Sequence, residues 1–205
     1  MSRFLLPLVA GVAASSAGAA IVSVTGQTLQ IAAPPSVDSG VLVSTTHAFA
    51  FDESVGVAYD GPVDLRNLIP NVQYNISDAQ NYGATGVFDS HMIHFDVTGL
   101  NTDTTLTGWV TFDQPVYAVI ISNTKLDLTD ATFGAAGTVY PFGVTNRGFS
   151  NSTDWVRLTA SNTLQFNVRN TNTADQIRVL TLHVPAPASA GLLGAGLLAA
   201  ARRRR

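Results

Sequence analysis

The sequence predicts an all-β body: a single antiparallel β-sandwich of jelly-roll-like type, flanked by an N-terminal signal helix and a C-terminal hydrophobic helix. Three observations carry this expectation. No window between residues 20 and 183 sustains an apolar period of 3.6, whereas several alternate with period two. Gly, Asn, Asp and Pro punctuate those windows at short intervals, as they do in sandwiches. The two ends are apolar segments bordered by arginine and resemble nothing between them.

In chain order, residues 21–24 and 28–31 are short strand candidates and 41–51 a longer one. Residues 71–86 are polar and Gly-containing and read as a loop; 92–97 resume the strand pattern. In 105–113, Leu106, Val110 and Phe112 share one face while Thr107, Trp109 and Thr111 share the other. Gln114-Pro115 breaks that run, and 116–122 follow as a near-continuous apolar strand of the kind buried on both faces. The stretch 133–152 is a Gly-rich loop bearing Phe133, Tyr140, Phe142 and Phe149. Val156 and Leu158, then Leu164, Phe166 and Val168, alternate about Ser161-Asn162, the pattern of a hairpin. A last strand is expected over 177–183, after a polar turn at 170–175.

The ends define three parts. Residues 1–19 carry Arg3, an apolar run from Phe4 to Ala14, and small residues Ala17-Gly18-Ala19, the layout of a secretory signal peptide cut after Ala19 or Ala20. Residues 20–183 are the body. Residues 184–205 contain Pro185-Ala186-Pro187, an apolar run over 188–201, and Arg202, Arg203, Arg204 and Arg205. As a helix that run covers about 21 Å, short of a bilayer core of about 30 Å. The four arginines resist translocation and hold the end at the cytoplasmic side. Signal peptidase and the inner membrane are therefore expected contacts of the precursor.

The order Pro-x-Pro, apolar segment and terminal arginine cluster resembles the PEP-CTERM sorting signal of Gram-negative-type bacteria. The resemblance implies export, transient anchoring by the C-terminal helix, and processing near Pro185, Ala186 and Pro187 by an exosortase-type enzyme. Ala186 stands where the family motif has Glu. In the body, Asp89-Ser90-His91-Met92-Ile93-His94-Phe95-Asp96, the run Val110 to Val116, the run Asp127 to Gly134, and Asp175-Gln176-Ile177-Arg178-Val179 resemble a recurrent domain of secreted PEP-CTERM proteins. That resemblance implies location and a β fold, and no catalytic residue.

Composition excludes several classes. All 14 acidic residues lie in the body, against six basic ones (Arg66, Lys125, Arg147, Arg157, Arg169 and Arg178). So acidic a body has no electrostatic footprint for nucleic acid. The absence of cysteine excludes disulfide staples, a catalytic thiol and a lipid-modified cysteine anchor.

Candidate chemistry is sparse. Asp89, His91, His94 and Asp96 are the densest set of metal-ligand types, but strand alternation puts Asp89 and His91 on one face and His94 and Asp96 on the other. Calcium is the metal expected of an oxygen-rich secreted sandwich, with Asp127 and Asp130, which read as a turn, and Asp52 with Glu53 at the end of another strand as its oxygen candidates; Asp89 and His91 are further candidate ligands for an unspecified metal. Trp109, Tyr140 and Phe142, with Trp155, could form an aromatic platform for carbohydrate, and Arg178 is paired in this reading with Asp175. No Gly-x-Ser-x-Gly, His-Glu-x-x-His or Walker loop is present, and Glu53 is the single glutamate.

The expected function is that of an exported, exosortase-processed β-sandwich of the envelope or extracellular matrix, structural or adhesive and not an enzyme. The alternative is a calcium-assisted module binding extracellular polysaccharide. A secreted hydrolase using Asp89, His91 or His94 is the third reading.

Overall fold

The computed structural model describes residues 20–185 apart from 101, 145, 146, 151 and 172. The signal segment and the segment from Ala186 on, including Pro187 and Arg202, Arg203, Arg204 and Arg205, lie outside the described residues. Gly18–Val184 form a compact unit. Among the described residues its elements are β1 (Ile21–Gly26), β2 (Thr28–Gln30), β3 (Ala48–Val63), β4 (Leu65–Arg66), β5 (Tyr82–Asp96), β6 (Thr104–Phe112), β7 (Val116–Ile120), α1 (Asn123–Phe133), β8 (Trp155–Ala160), β9 (Thr163–Asn170) and β10 (Ala174–Leu182).

The strands form a four-stranded sheet, in order β1-β6-β9-β8, and a six-stranded sheet, in order β2-β3-β5-β10-β7-β4. Every pairing is antiparallel except β2 with β3. The chain passes from one sheet edge to the other at Gly26-Gln27. Gly26 has φ +68° and lies against the Trp109 ring, where a Cβ would come within 2.7 Å, so this crossing requires glycine. The outer edge of β8 is capped by residues 71–74, whose Tyr74 N–H and C=O both pair with Val156.

Period-two alternation builds the core. Leu106, Val110 and Phe112 of β6, Val156 and Leu158 of β8, and Leu164, Phe166 and Val168 of β9 turn inward. They meet Ala48, Ala50, Ile93, Phe95, Val119, Ile177 and Val179 of the six-stranded sheet. Full burial of each large side chain contributes about 1.5–3 kcal/mol. The intervening residues of that sheet, Phe51, Phe88, Met92, Ala118, Ile120 and Leu180, face a second cluster with Val37 and with Leu126 and Phe133 of α1. The six-stranded sheet is thus covered on both faces, by the other sheet and by α1.

Three sequence expectations are corrected. Residues 41–47 are irregular and not strand, because the Ser44 hydroxyl accepts the N–H groups of Thr46 (3.2 Å) and His47 (3.1 Å) and competes with a ladder. Residues 82–86, read as loop, begin β5, which pairs with β3 as far as Tyr82 against Val63. Asp127 and Asp130 lie in the helix α1 and not in a turn. Only Leu126, Thr129 and Phe133 of that helix are buried, so its apolar stripe is too thin to register as a period.

Candidate functional site

Beneath α1 the six-stranded sheet carries polar side chains where alternation would place apolar ones. Gln176 and Arg178 of β10 and Ser90 and His94 of β5 are all fully buried. Arg178 grips Glu53 through Nε (2.7 Å) and Nη2 (2.8 Å), and also donates to Asp130 (2.9 Å) and Thr129 Oγ1 (2.6 Å). Its partner is therefore not Asp175, which lies three residues along the strand and so on the other face. Arg147 reaches the same place from the loop after α1, donating to both oxygens of Asp130 (2.5 and 2.8 Å), to Asp127 (2.8 Å), to the Pro141 carbonyl and to Gln176 Oε1 (2.7 Å). Asp130 bridges the two guanidinium groups.

The electrostatics follow. Burial would push the Glu53 carboxyl up, but the Arg178 charge and hydrogen bonds from Arg178, Ser90 and Tyr140 outweigh it and hold it below its usual range. Burial and the Glu53 charge push the Tyr140 phenol up. Tyr140 is turned inward, its hydroxyl bonded to Glu53 and to the Ala135 N–H (2.9 Å). The chain of bonds continues from Gln176 Nε2 to His94 Nδ1 (3.0 Å), while His94 Nε2 donates to the Leu42 carbonyl (3.1 Å). His94 is thereby a neutral ring whose pKa burial drives down to about 4.

Between the sheets, His91 Nδ1 bonds Asp52 (2.7 Å) and its Nε2 lies 3.2 Å from Thr181 Oγ1. That is the order of acid, base and hydroxyl in a hydrolase, yet His91 and Thr181 are fully buried, with His91 stacked on Phe112 at 4.7 Å. Asp89 accepts the Gly56 N–H (2.6 Å) and bonds the His183 ring (2.8 Å). Asp96 accepts the N–H groups of Gly40 and Thr98. Among the described residues no three His, Asp or Glu side chains converge as a ligand set.

The open surfaces are elsewhere. On the outer face of the four-stranded sheet, Trp109, buried Gln165 and Arg157 form one row across β6, β9 and β8. Thr107, Asn167 and Trp155 form the next. Both tryptophans are half-buried, and the polar residues between them are pre-arranged: Arg157 Nε to Gln165 Oε1 (2.7 Å), Asn167 Nδ2 to Thr107 Oγ1 (2.8 Å), with the Arg157 guanidinium 5.5 Å from the Trp155 ring centre. On the far side of the six-stranded sheet, Phe142 (83 % exposed) borders an open groove of about 420 Å³ with Asn123, Thr124, Asp127, Leu128 and Gly143. The layers keep Trp109 and Trp155 apart from Tyr140 and Phe142, so the four rings make no common platform.

Sequence reasoning missed the Arg147–Asp130–Arg178–Glu53 network because its members lie as far as 125 residues apart in the chain. Polar residues at 176 and 178, alternating with Ile177 and Val179, carry the signature of a solvated face. Only the helix above them makes it a buried one.

The body ends where the last strand is pinned: the His183 N–H donates to the Val87 carbonyl (3.0 Å) and its ring to Asp89. No match was found among curated proteins or among solved structures. Residues 183–205 match the PEP-CTERM protein-sorting motif, and that motif indicates an exosortase-targeted protein, exported and associated with the cell envelope or exterior.

Proposed function

We propose that the body is a non-catalytic, structural or adhesive module which contacts extracellular polysaccharide through the open face of the four-stranded sheet. The observation that carries this reading is the two-row arrangement of Trp109, Gln165, Arg157, Thr107, Asn167 and Trp155. Ring faces pack on the C–H faces of sugars, and fixed amide, hydroxyl and guanidinium groups between them supply directional bonds. Rows one pleat repeat apart lie roughly 7 Å from each other on a strand rising about 3.4 Å per residue. The acid–base candidates, by contrast, are committed: the His91, His94, Asp89 and Arg178 side chains each have interior partners.

Two processing steps belong to the same reading. Signal peptidase removes residues 1–19, leaving Ala20, whose nitrogen lies 3.0 Å from Asp113 Oδ1, as an α-ammonium facing a carboxylate. The exosortase acts near Pro185, Ala186 and Pro187, just beyond exposed Val184, and the apolar segment ahead of the terminal arginines holds the precursor in the inner membrane until then.

The test is retention of full-length protein on the polysaccharide matrix of the producing envelope. Binding that falls at least tenfold in both Trp109→Ala and Trp155→Ala, and stays unchanged in Phe142→Ala, supports the sheet face. Loss only in Phe142→Ala moves the site to the α1 groove. Turnover of ester or glycoside substrates that disappears in His91→Ala would replace this reading with the hydrolase.

A further inference from the structure

One end of the sandwich collects the described residues of three connections, 97–100 with 102–103, 150 with 152–154, and 171 with 173, which lie between β5 and β6, ahead of β8 and between β9 and β10. Antiparallel register brings them together, with Ala174 opposite Asp96, Thr104 opposite Asn170 and Trp155 opposite Asn167. Two carboxylates are sunk into this end: Asp154 is 0 % and Asp175 3 % exposed. Asp154 accepts backbone N–H groups of Arg169 (at Oδ1, 2.8 Å) and Ser150, but among the described residues its Oδ2 has no hydrogen-bond partner, and neither has Asp175 Oδ2. Thr102 Oγ1, from the first loop, is a third buried oxygen without a partner.

Buried carboxylate oxygens without donors are costly, and native proteins rarely leave them so. Among the described residues no salt bridge reaches Asp154 or Asp175. Arg169, whose charge reaches Asp154, directs its Nε and Nη2 to exposed Asp103 at 2.9 and 2.5 Å. Burial, the Asp154 charge and the Asp96 charge all push the Asp175 carboxyl well above its usual range, and burial pushes Asp154 up. Both groups lack a positive charge at their unpartnered oxygens.

We propose that Asp154 and Asp175 hold a calcium ion, with Thr102 Oγ1, loop carbonyls and water completing its shell. Every candidate ligand is oxygen, and neither histidine nor thiol stands among them; that is the preference of a hard cation taking 6–8 oxygens in adaptable geometry. Two carboxylates, with no third His, Asp or Glu side chain converging among the described residues, make a site of modest affinity in the range of extracellular modules, about 0.1–1 mM. The ion ties three loops together where the two sheets meet. This site is distinct from Asp89, His91, Asp127 and Asp130, whose carboxylates and ring are occupied by protein partners.

The experiment is thermal unfolding of the purified full-length protein, stripped with a chelator and then titrated with calcium or magnesium chloride. The proposal expects a saturating rise of at least about 4 °C by about 10 mM calcium, and a much smaller rise with magnesium. Asp154→Asn and Asp175→Asn should each abolish the calcium response while remaining folded in chelator, since each removes an uncompensated buried charge. No calcium-dependent shift overturns the proposal. So does a shift that survives in both variants, which would put the ion elsewhere. Trp109→Ala keeps the calcium response, so failure of this site and failure of the sheet-face reading are told apart.

Discussion

Replacing His94 by Gln removes a titrating ring from the middle of the six-stranded sheet and leaves an amide that can still accept from Gln176 and donate to Leu42. In the folded chain burial drives the His94 pKa from 6.5 down to about 4, with Arg147 acting the same way and Asp96 and the Leu42 carbonyl opposing. Between those two values the unfolded chain binds a proton that the folded chain does not, so stability falls as pH falls from 6.5 towards 4. The full effect is about 3 kcal/mol, of which about 2 kcal/mol is lost between about pH 7.5 and about pH 5. Against a total stability of about 5–15 kcal/mol that is a large fraction. Urea unfolding of full-length protein at the two pH values measures it. Glu53, held low by Arg178, loses stabilisation as pH falls below 4.5, and Asp175, held high, gains it. Both remain in His94→Gln, so the difference between wild type and variant isolates the ring. The variant should be about 1 kcal/mol less stable at neutral pH, and its stability should decline about 2 kcal/mol less on acidification. Equal slopes in the two proteins would refute the buried neutral ring.

Arg178→Met leaves Glu53 buried without its fork and should cost about 3–5 kcal/mol in urea unfolding, while adding Glu53→Gln should recover more than half. Gly148→Ala should cost about 1–3 kcal/mol, because the new Cβ would lie 2.0 Å from the Ile121 carbonyl oxygen, where the Phe149 N–H docks at 2.8 Å. In protein processed to Ala20, the terminal amine should titrate above its ordinary value because Asp113 faces it at 3.0 Å; pH-dependent acylation should show that elevation disappearing in Asp113→Asn.

The strands that face apolar material on one side were legible because alternation survives in them. Leu106, Val110 and Phe112 turn inward and Trp109 outward as their spacing requires, and residues 116–120 are covered on both faces. The long β3–β5 pair was half hidden. Its outer half is rich in Gly and Asp, and its register slips twice, between Asp52 and Ser54 and between Ser54 and Val57, which breaks the period that a strand reading depends on. The helix was hidden by economy, since a thin stripe of Leu126, Thr129 and Phe133 over about two turns suffices when the rest of its inner side is charge. Of the candidate site residues, spacing could separate Asp89 and His91 from His94 and Asp96. It had no means of bringing Glu53 to Arg178 or Asp154 to Asp175, since those meetings depend on which strands become neighbours.

The same topology separates processing from folding. The sorting motif begins at His183, the residue whose N–H pairs with Val87 and whose ring pairs with Asp89. One residue later Val184 is half exposed, with a relative accessibility of 50 %. Among the described residues, none from Pro185 on supplies a ladder bond of β10, a member of either hydrophobic cluster or a partner of the buried ion network. The charges under α1 fit this division. Asp130 joins Arg178 of the central strand to Arg147 of the following loop, so the network ties helix, loop and sheet into one register without offering a group to solvent chemistry. The charged groups under α1 find all these partners within Gly18–Val184. Outside that network, side chains on the outer face of the four-stranded sheet are pre-arranged between the two tryptophans.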